Sequence, residues 1–120
     1  MRLLWPFGSR RMPATPGDAD RRALRQLEVL GADLTKPRHV IHFLYFDEEA
    51  AARHTADDAE KAGYTARIMP PDEEFKRWRV HADGTRVVGP TTVDAYRAWF
   101  ERLAASHGGT YDGWEAARKP

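Results

Sequence analysis

The spacing of apolar residues predicts an α+β domain of the ferredoxin-like, split βαβ kind, preceded by one additional helix. Three observations carry that prediction. Residues 38–46 run Arg-His-Val-Ile-His-Phe-Leu-Tyr-Phe, apolar on both alternating faces, as a central strand requires. Two further stretches, 64–69 and 75–82, alternate with a period of two. Three stretches repeat apolar residues at helical spacing, and each runs into a glycine. The resulting order after the first helix is β-α-β-β-α-β. Two right-handed crossovers then thread one antiparallel four-stranded sheet in the order 4-1-3-2, with both crossover helices on one face. The other face stays open unless the first helix, the N-terminal segment or a partner covers it.

Residues 1–17 read as a flexible basic tail, because Pro6, Pro13, Pro16, Gly8 and Gly17 interrupt any period and Arg2, Arg10 and Arg11 meet no acid before Asp18. Residues 18–117 read as a single regulatory domain. Asp18 or Asp20 is expected to cap the first helix, whose apolar face is Ala23, Leu24, Leu27 and Leu30, with Gly31 as its stop. After the central strand, Asp47 is expected to cap a second helix, with Glu48 and Glu49 in its first turn. Ala52, Ala56 and Ala59 share one side of it, and small side chains let a helix approach a sheet closely.

Past Gly63, Tyr64, Ala66 and Ile68 point one way and Thr65, Arg67 and Met69 the other. Pro70-Pro71-Asp72 ends that strand. In the next one Trp78 and Val80 oppose Arg77, Arg79 and His81. Asp83-Gly84 then marks a turn or bulge, after which Arg86-Val87-Val88 prolongs or returns the strand. Pro90 and Thr91 or Thr92 open the last helix, with Val93, Tyr96, Phe100 and Leu103 on its apolar face. His107 suits its C-terminus, Gly108-Gly109 stops it, and residues 110–116 make a short strand or turn.

Composition narrows the function classes. The 120 residues are 42% hydrophobic with thirteen aromatics, enough for one core. A net charge of +1 argues against bulk coating of nucleic acid. No cysteine is present, so disulfides, thiolate metal sites and thiol nucleophiles are excluded, and serine occurs only at Ser9 and Ser106. With Leu3-Leu4-Trp5 as the longest apolar run near the start, no signal h-region or membrane span is expected, and the expected location is the cytoplasm.

The chemistry-bearing residues are scattered. His39 and His42 fall on opposite faces of one strand, and His54, His81 and His107 sit in separate elements, so no metal or cofactor is expected. His107, Asp112 and Glu115 are close enough in sequence to be weighed as an acid/base group. The competing reading gives His107 to the helix end and Asp112 to a turn. The open sheet face is more informative. It collects Arg67, Met69, Arg77, Arg79 and His81, joined from the first strand by either Ile41, Phe43 and Tyr45 or His42, Leu44 and Phe46. Arg67, Arg77, Arg79 and His81 are therefore the candidate partner-binding residues. The plain reading is a solvated charged face whose apolar residues the first helix covers; of the functional readings, a protein surface is the first expectation and a platform for stacking single-stranded RNA the alternative. An uncovered face or edge would also permit a homodimer.

Gly109-Thr110-Tyr111-Asp112-Gly113-Trp114-Glu115, following a helix that ends Leu103-Ala104-Ala105-Ser106-His107, resembles the C-terminus of the regulator of ribonuclease activity B family. Arg25-Gln26-Leu27-Glu28-Val29-Leu30-Gly31-Ala32-Asp33-Leu34, His42-Phe43-Leu44-Tyr45-Phe46 and Ala62-Gly63-Tyr64 are similar to the family as well, so the resemblance spans roughly residues 20–117. It implies a non-catalytic bacterial protein that binds a ribonuclease E-type endonuclease and lowers its activity, on the same ferredoxin-like architecture. Tyr111, Asp112, Gly113 and Trp114 carry over as the family motif. Gly113 is expected to permit positive φ, and Trp114 to bury its indole against the last helix.

Overall fold

The computed structural model describes residues 2–3 and 16–120, so the expected tail over residues 1–17 lies mostly outside the described residues. The elements run β1 (Arg2–Leu3), α1 (Pro16–Val29), β2 (Pro37–Phe46), α2 (Glu49–Lys61), β3 (Thr65–Met69), β4 (Trp78–Val87), α3 (Pro90–Ser106) and β5 (Thr110–Ala117). The sheet order is β1-β5-β2-β4-β3. The four long strands thus have the expected antiparallel order, and Arg2–Leu3 adds a short fifth strand beside β5. At the centre, β2 pairs with β4 from Pro37↔Val87 to Phe46↔Trp78, and with β5 from Val40↔Ala116 to Tyr45↔Thr110.

All three helices lie on one side of the sheet. Leu44, Phe46, Val80 and Ala82 meet Ala52, Ala56 and Ala59 of α2 and Phe100, Leu103 and Ala104 of α3. Val40, Val88, Trp114 and Ala116 meet Ala23, Leu24 and Leu27 of α1 and Val93 of α3. The apolar stripe of α1 therefore joins the common core and leaves the other sheet face to itself.

Several local expectations are corrected. Neither Asp18 nor Asp20 caps α1, because the helix starts earlier, at Pro16, whose fixed φ and missing N–H suit a first helical position. Asp18 sits in the first turn, and Asp20 is buried inside the fold. The residue at the α2 cap is Glu48, with no side-chain cap bond, since the Asp47 carboxylate instead accepts a bond from Arg77 Nε at 2.9 Å. The second hairpin strand begins at Trp78 rather than residue 75. Asp72 Oδ1 accepts the N–H groups of Glu74 and Phe75 at 2.9 and 2.7 Å, and this turn holds residues 72–75 out of the ladder. Asp83-Gly84 makes no turn: β4 runs straight through, Asp83 opposite Ile41 and Gly84 opposite Val40.

The approach of α3 to β2 depends on one glycine. A Cβ on Gly109 would lie 2.3 Å from the Phe46 ring and 2.5 Å from the Tyr45 carbonyl oxygen. Neither the packed ring nor the strand backbone can withdraw cheaply. Gly109→Ala is expected to cost about 2 kcal/mol or more of folding free energy, measured as a lower midpoint in urea at unchanged slope.

Candidate functional site

Alternation along the strands decides what the helix-free face carries. Tyr64, Ala66, Ile68, Trp78 and Val80 pack toward the helices, as do His42, Leu44 and Phe46. Their neighbours Ile41, Phe43 and Tyr45 therefore form the central row of the opposite face. Register supplies the cross-strand companions. His81 stands between Arg67 and Phe43, and Arg79 between Met69 and Tyr45. On the far side of β2, Glu115 is opposite Ile41 and Thr110 opposite Tyr45. The face thus has an apolar and aromatic centre with cations toward β3, while on its β5 side Ile41 and Glu115 are buried, at 2% and 6% exposure.

The predicted cations are not equivalent. Arg77 lies just before β4, where Nε donates to Asp47 and Nη1 to Thr110 Oγ1 at 3.1 Å. Arg79 donates to Asp72 Oδ2 at 3.1 Å and lies over the Phe75 ring at 4.4 Å, leaving its side chain 13% exposed. Asp72 is held below the usual carboxylate range, first by the Phe75 backbone N–H and more weakly by Arg79. Arg67 is exposed and makes no ion pair among the described residues. His81 meets the Phe43 ring edge-on at 4.7 Å. The Tyr45 hydroxyl is pushed above its ordinary range by burial and by the charge of Asp112.

The Tyr-Asp-Gly-Trp stretch does something different from the open face. Two β5 residues, Asp112 and Gly113, stand against one on β2, Phe43, since His42 pairs with Trp114 and Leu44 with Tyr111. Gly113, at φ 105°, absorbs the extra residue, the positive φ expected of it. The bulge lets Tyr111 and Trp114, three apart, both point toward the helices. Tyr111 Oη lies 2.8 Å from His42 Nδ1, and His42 stacks on Phe100 at 4.0 Å. Trp114 is buried between α1 and α3, and its indole N–H donates to Asp20 Oδ1 at 2.8 Å. Asp112 remains exposed at the bulge.

Asp20, 1% exposed, gathers more than the indole. Arg97 Nε donates to Oδ2 at 2.7 Å and Arg97 Nη2 to Oδ1 at 3.1 Å, a two-pronged grip on the carboxylate. The same guanidinium reaches Glu101 at 3.0 Å and covers the Tyr111 ring at 5.0 Å. The sequence reading did not single out Asp20 or Arg97 for this role. A signal existed, because each stands on the apolar stripe of its own helix, Asp20 with Ala23, Leu24 and Leu27, and Arg97 with Val93 and Phe100. Arg38 was also missed. It is fully buried, and its guanidinium donates to the carbonyls of Asp33, Ala117 and Arg118.

The acid/base grouping separates in space. His107 Nε2 pairs with Asp58 of α2 at 3.0 Å and stacks on His54, whereas Asp112 and Glu115 belong to β5. Burial together with Arg86 and Arg97 drives the His42 imidazole down to about 3, leaving it neutral, and burial pushes the Tyr111 hydroxyl well up. Neither group exchanges protons near neutrality.

A family model described as regulator of ribonuclease activity B matches residues 17–116. No curated protein matches the chain.

Two outcomes follow from the buried groups. Asp20→Ala would leave Arg97 and the Trp114 N–H without their acceptor, for an expected loss of about 3–5 kcal/mol. Chemical denaturation followed by Trp fluorescence measures it. For His42, the unfolded imidazole protonates near its ordinary value of 6.5 and the folded one at about 3. The unfolded chain therefore binds more protons between those values, so stability is full above pH 6.5 and falls as the pH drops toward 3. A slope of about 1 kcal/mol per pH unit is expected between about pH 6 and 4.5, above the range where carboxylates add their own. His42→Gln should flatten it in denaturation curves.

Proposed function

Because the chain belongs to the regulator of ribonuclease activity B family, we propose that it regulates RNA turnover by binding an RNA-degrading endonuclease of the ribonuclease E type, without catalysing a reaction itself. The family match carries this reading. The geometry supports it in two ways. The buried Asp20, Trp114 and Arg38, together with Arg97, are committed to internal bonds, as a framework requires. The helix-free face offers the half-buried rings of Phe43 and Tyr45 beside the exposed Arg67, a pattern that complements protein side chains.

On this reading Arg67, Arg77, Arg79 and His81 line the contact surface with Phe43 and Tyr45. Their contributions differ. Arg67 supplies a charge free to meet a carboxylate of the partner. Arg77 and Arg79, tied to Asp47 and Asp72, hold the loop before β4 and shape the edge of the surface. Those two carboxylates compete with phosphate for the same guanidinium groups, so the single-stranded RNA alternative gains nothing from the arrangement. Among the described residues, no helix is long and apolar enough to cross a membrane.

The test is a titration with a purified ribonuclease E-type endonuclease, by calorimetry and by the rate of cleavage of a test RNA. Saturable binding with slowed cleavage is expected. Arg67→Glu should weaken binding about tenfold with the melting temperature unchanged, whereas Arg79→Glu should lower both. No binding to the nuclease would overturn the proposal. Binding that Arg67→Glu and Phe43→Ser leave intact would remove the contact from this face.

A further inference from the structure

Helix α1 has two faces with different occupations. Asp20, Ala23, Leu24 and Leu27 point into the fold. On the opposite side Arg22, Arg25, Gln26 and Val29 follow one another at spacings of three, one and three, a single exposed stripe. Leu30 extends it, and these five residues line one shallow groove. Val29 is 80% exposed and Leu30 40%, two of the three large exposed hydrophobics among the described residues.

The groove also carries charge. Several arginines of the fold are ion-paired: Arg21 with Asp18, Arg53 with Glu49, Arg77 with Asp47, Arg79 with Asp72, and Arg97 with Asp20. Arg22 and Arg25 make no ion pair among the described residues. The platform is also rigid. Asp20 clamps the first half of the helix to α3 and β5, and Arg118 Nη1 donates to the Leu30 carbonyl at 3.3 Å just past its end. A preorganised surface loses little freedom on binding.

We propose that this outer stripe of α1 docks an acidic amphipathic segment of a protein partner. Its carboxylates would meet Arg22 and Arg25, and its aliphatic side chains would cover Val29 and Leu30. Nucleic acid would satisfy the arginines and leave the two aliphatics bare. A lipid surface requires a wide apolar helix face, and the rest of the apolar residues of α1 are spent in the core. The site is separate from the helix-free sheet face and stands or falls independently of the ribonuclease reading.

The full chain would be titrated by fluorescence anisotropy with a labelled peptide of glutamate and leucine, the leucines at helical spacing. Saturable binding is expected. The Arg22→Glu/Arg25→Glu double variant should weaken it about tenfold or more, and Val29→Ser should weaken it at unchanged charge. All three positions are exposed, so circular dichroism should show an intact fold. Absence of saturable binding, or an affinity untouched by both variants, would overturn the proposal. So would tighter binding to an RNA oligomer or to vesicles of anionic phospholipid than to the peptide. A reversible dimer in sedimentation that Val29→Ser dissolves would assign the stripe to a second copy instead, and overturn it too.

Discussion

The carboxylate of Asp20 is the constraint on which the remaining architecture depends. An unpaired anion in that position would be prohibitively desolvated. It is made tolerable by two donors from different elements, the guanidinium of Arg97 on α3 and the indole of Trp114 on β5. Each donor is in turn placed by something else. Arg97 is flattened against Tyr111, and Trp114 is aimed inward by the bulge at Gly113. Removing the carboxylate takes this acceptor from the indole N–H and leaves Arg97 with Glu101, so the first helix, the last helix and the last strand are fixed as a set.

With all helices held on one side, the opposite sheet face is free of helices, and its half-buried rings lie between Ile41 and Glu115, both buried, and the exposed Arg67. Its chemistry is mixed: aromatic rings along β2, cations on β3 and β4, acids on β5. Most of the charge is already used within the molecule. What remains is a surface with few charges outside internal ion pairs among the described residues. The outer side of α1 differs, with two exposed aliphatics and two guanidinium groups that make no ion pair among the described residues.

The strand order, the three helices and the inward alternation of β3 and β4 were legible because each rests on local period and on turn residues. The chain-level family was legible from the Tyr-Asp-Gly-Trp stretch and its surroundings. Helix caps were less so. Asp47 has the right chemistry for a cap, yet a guanidinium thirty residues later claims its carboxylate. Which β2 row would face outward could not be decided locally, since both rows are apolar and His42 looks polar until Tyr111 is placed against it. The Asp20–Arg97 pair was readable only by comparing two distant helices and noticing opposite charges on both apolar stripes.

That pairing also sets an order in time. Asp20 and Trp114 are 94 positions apart, and Arg38 waits for the carbonyls of Ala117 and Arg118. On a ribosome extending the chain at about 5–20 residues per second, α1 leaves the exit tunnel several seconds before the residues that neutralise its buried acid. During that interval the helix can neither seat its carboxylate nor shield its leucines. The nascent chain is therefore open to proteases until its last strand emerges, and the domain completes itself only once β5 has left the tunnel.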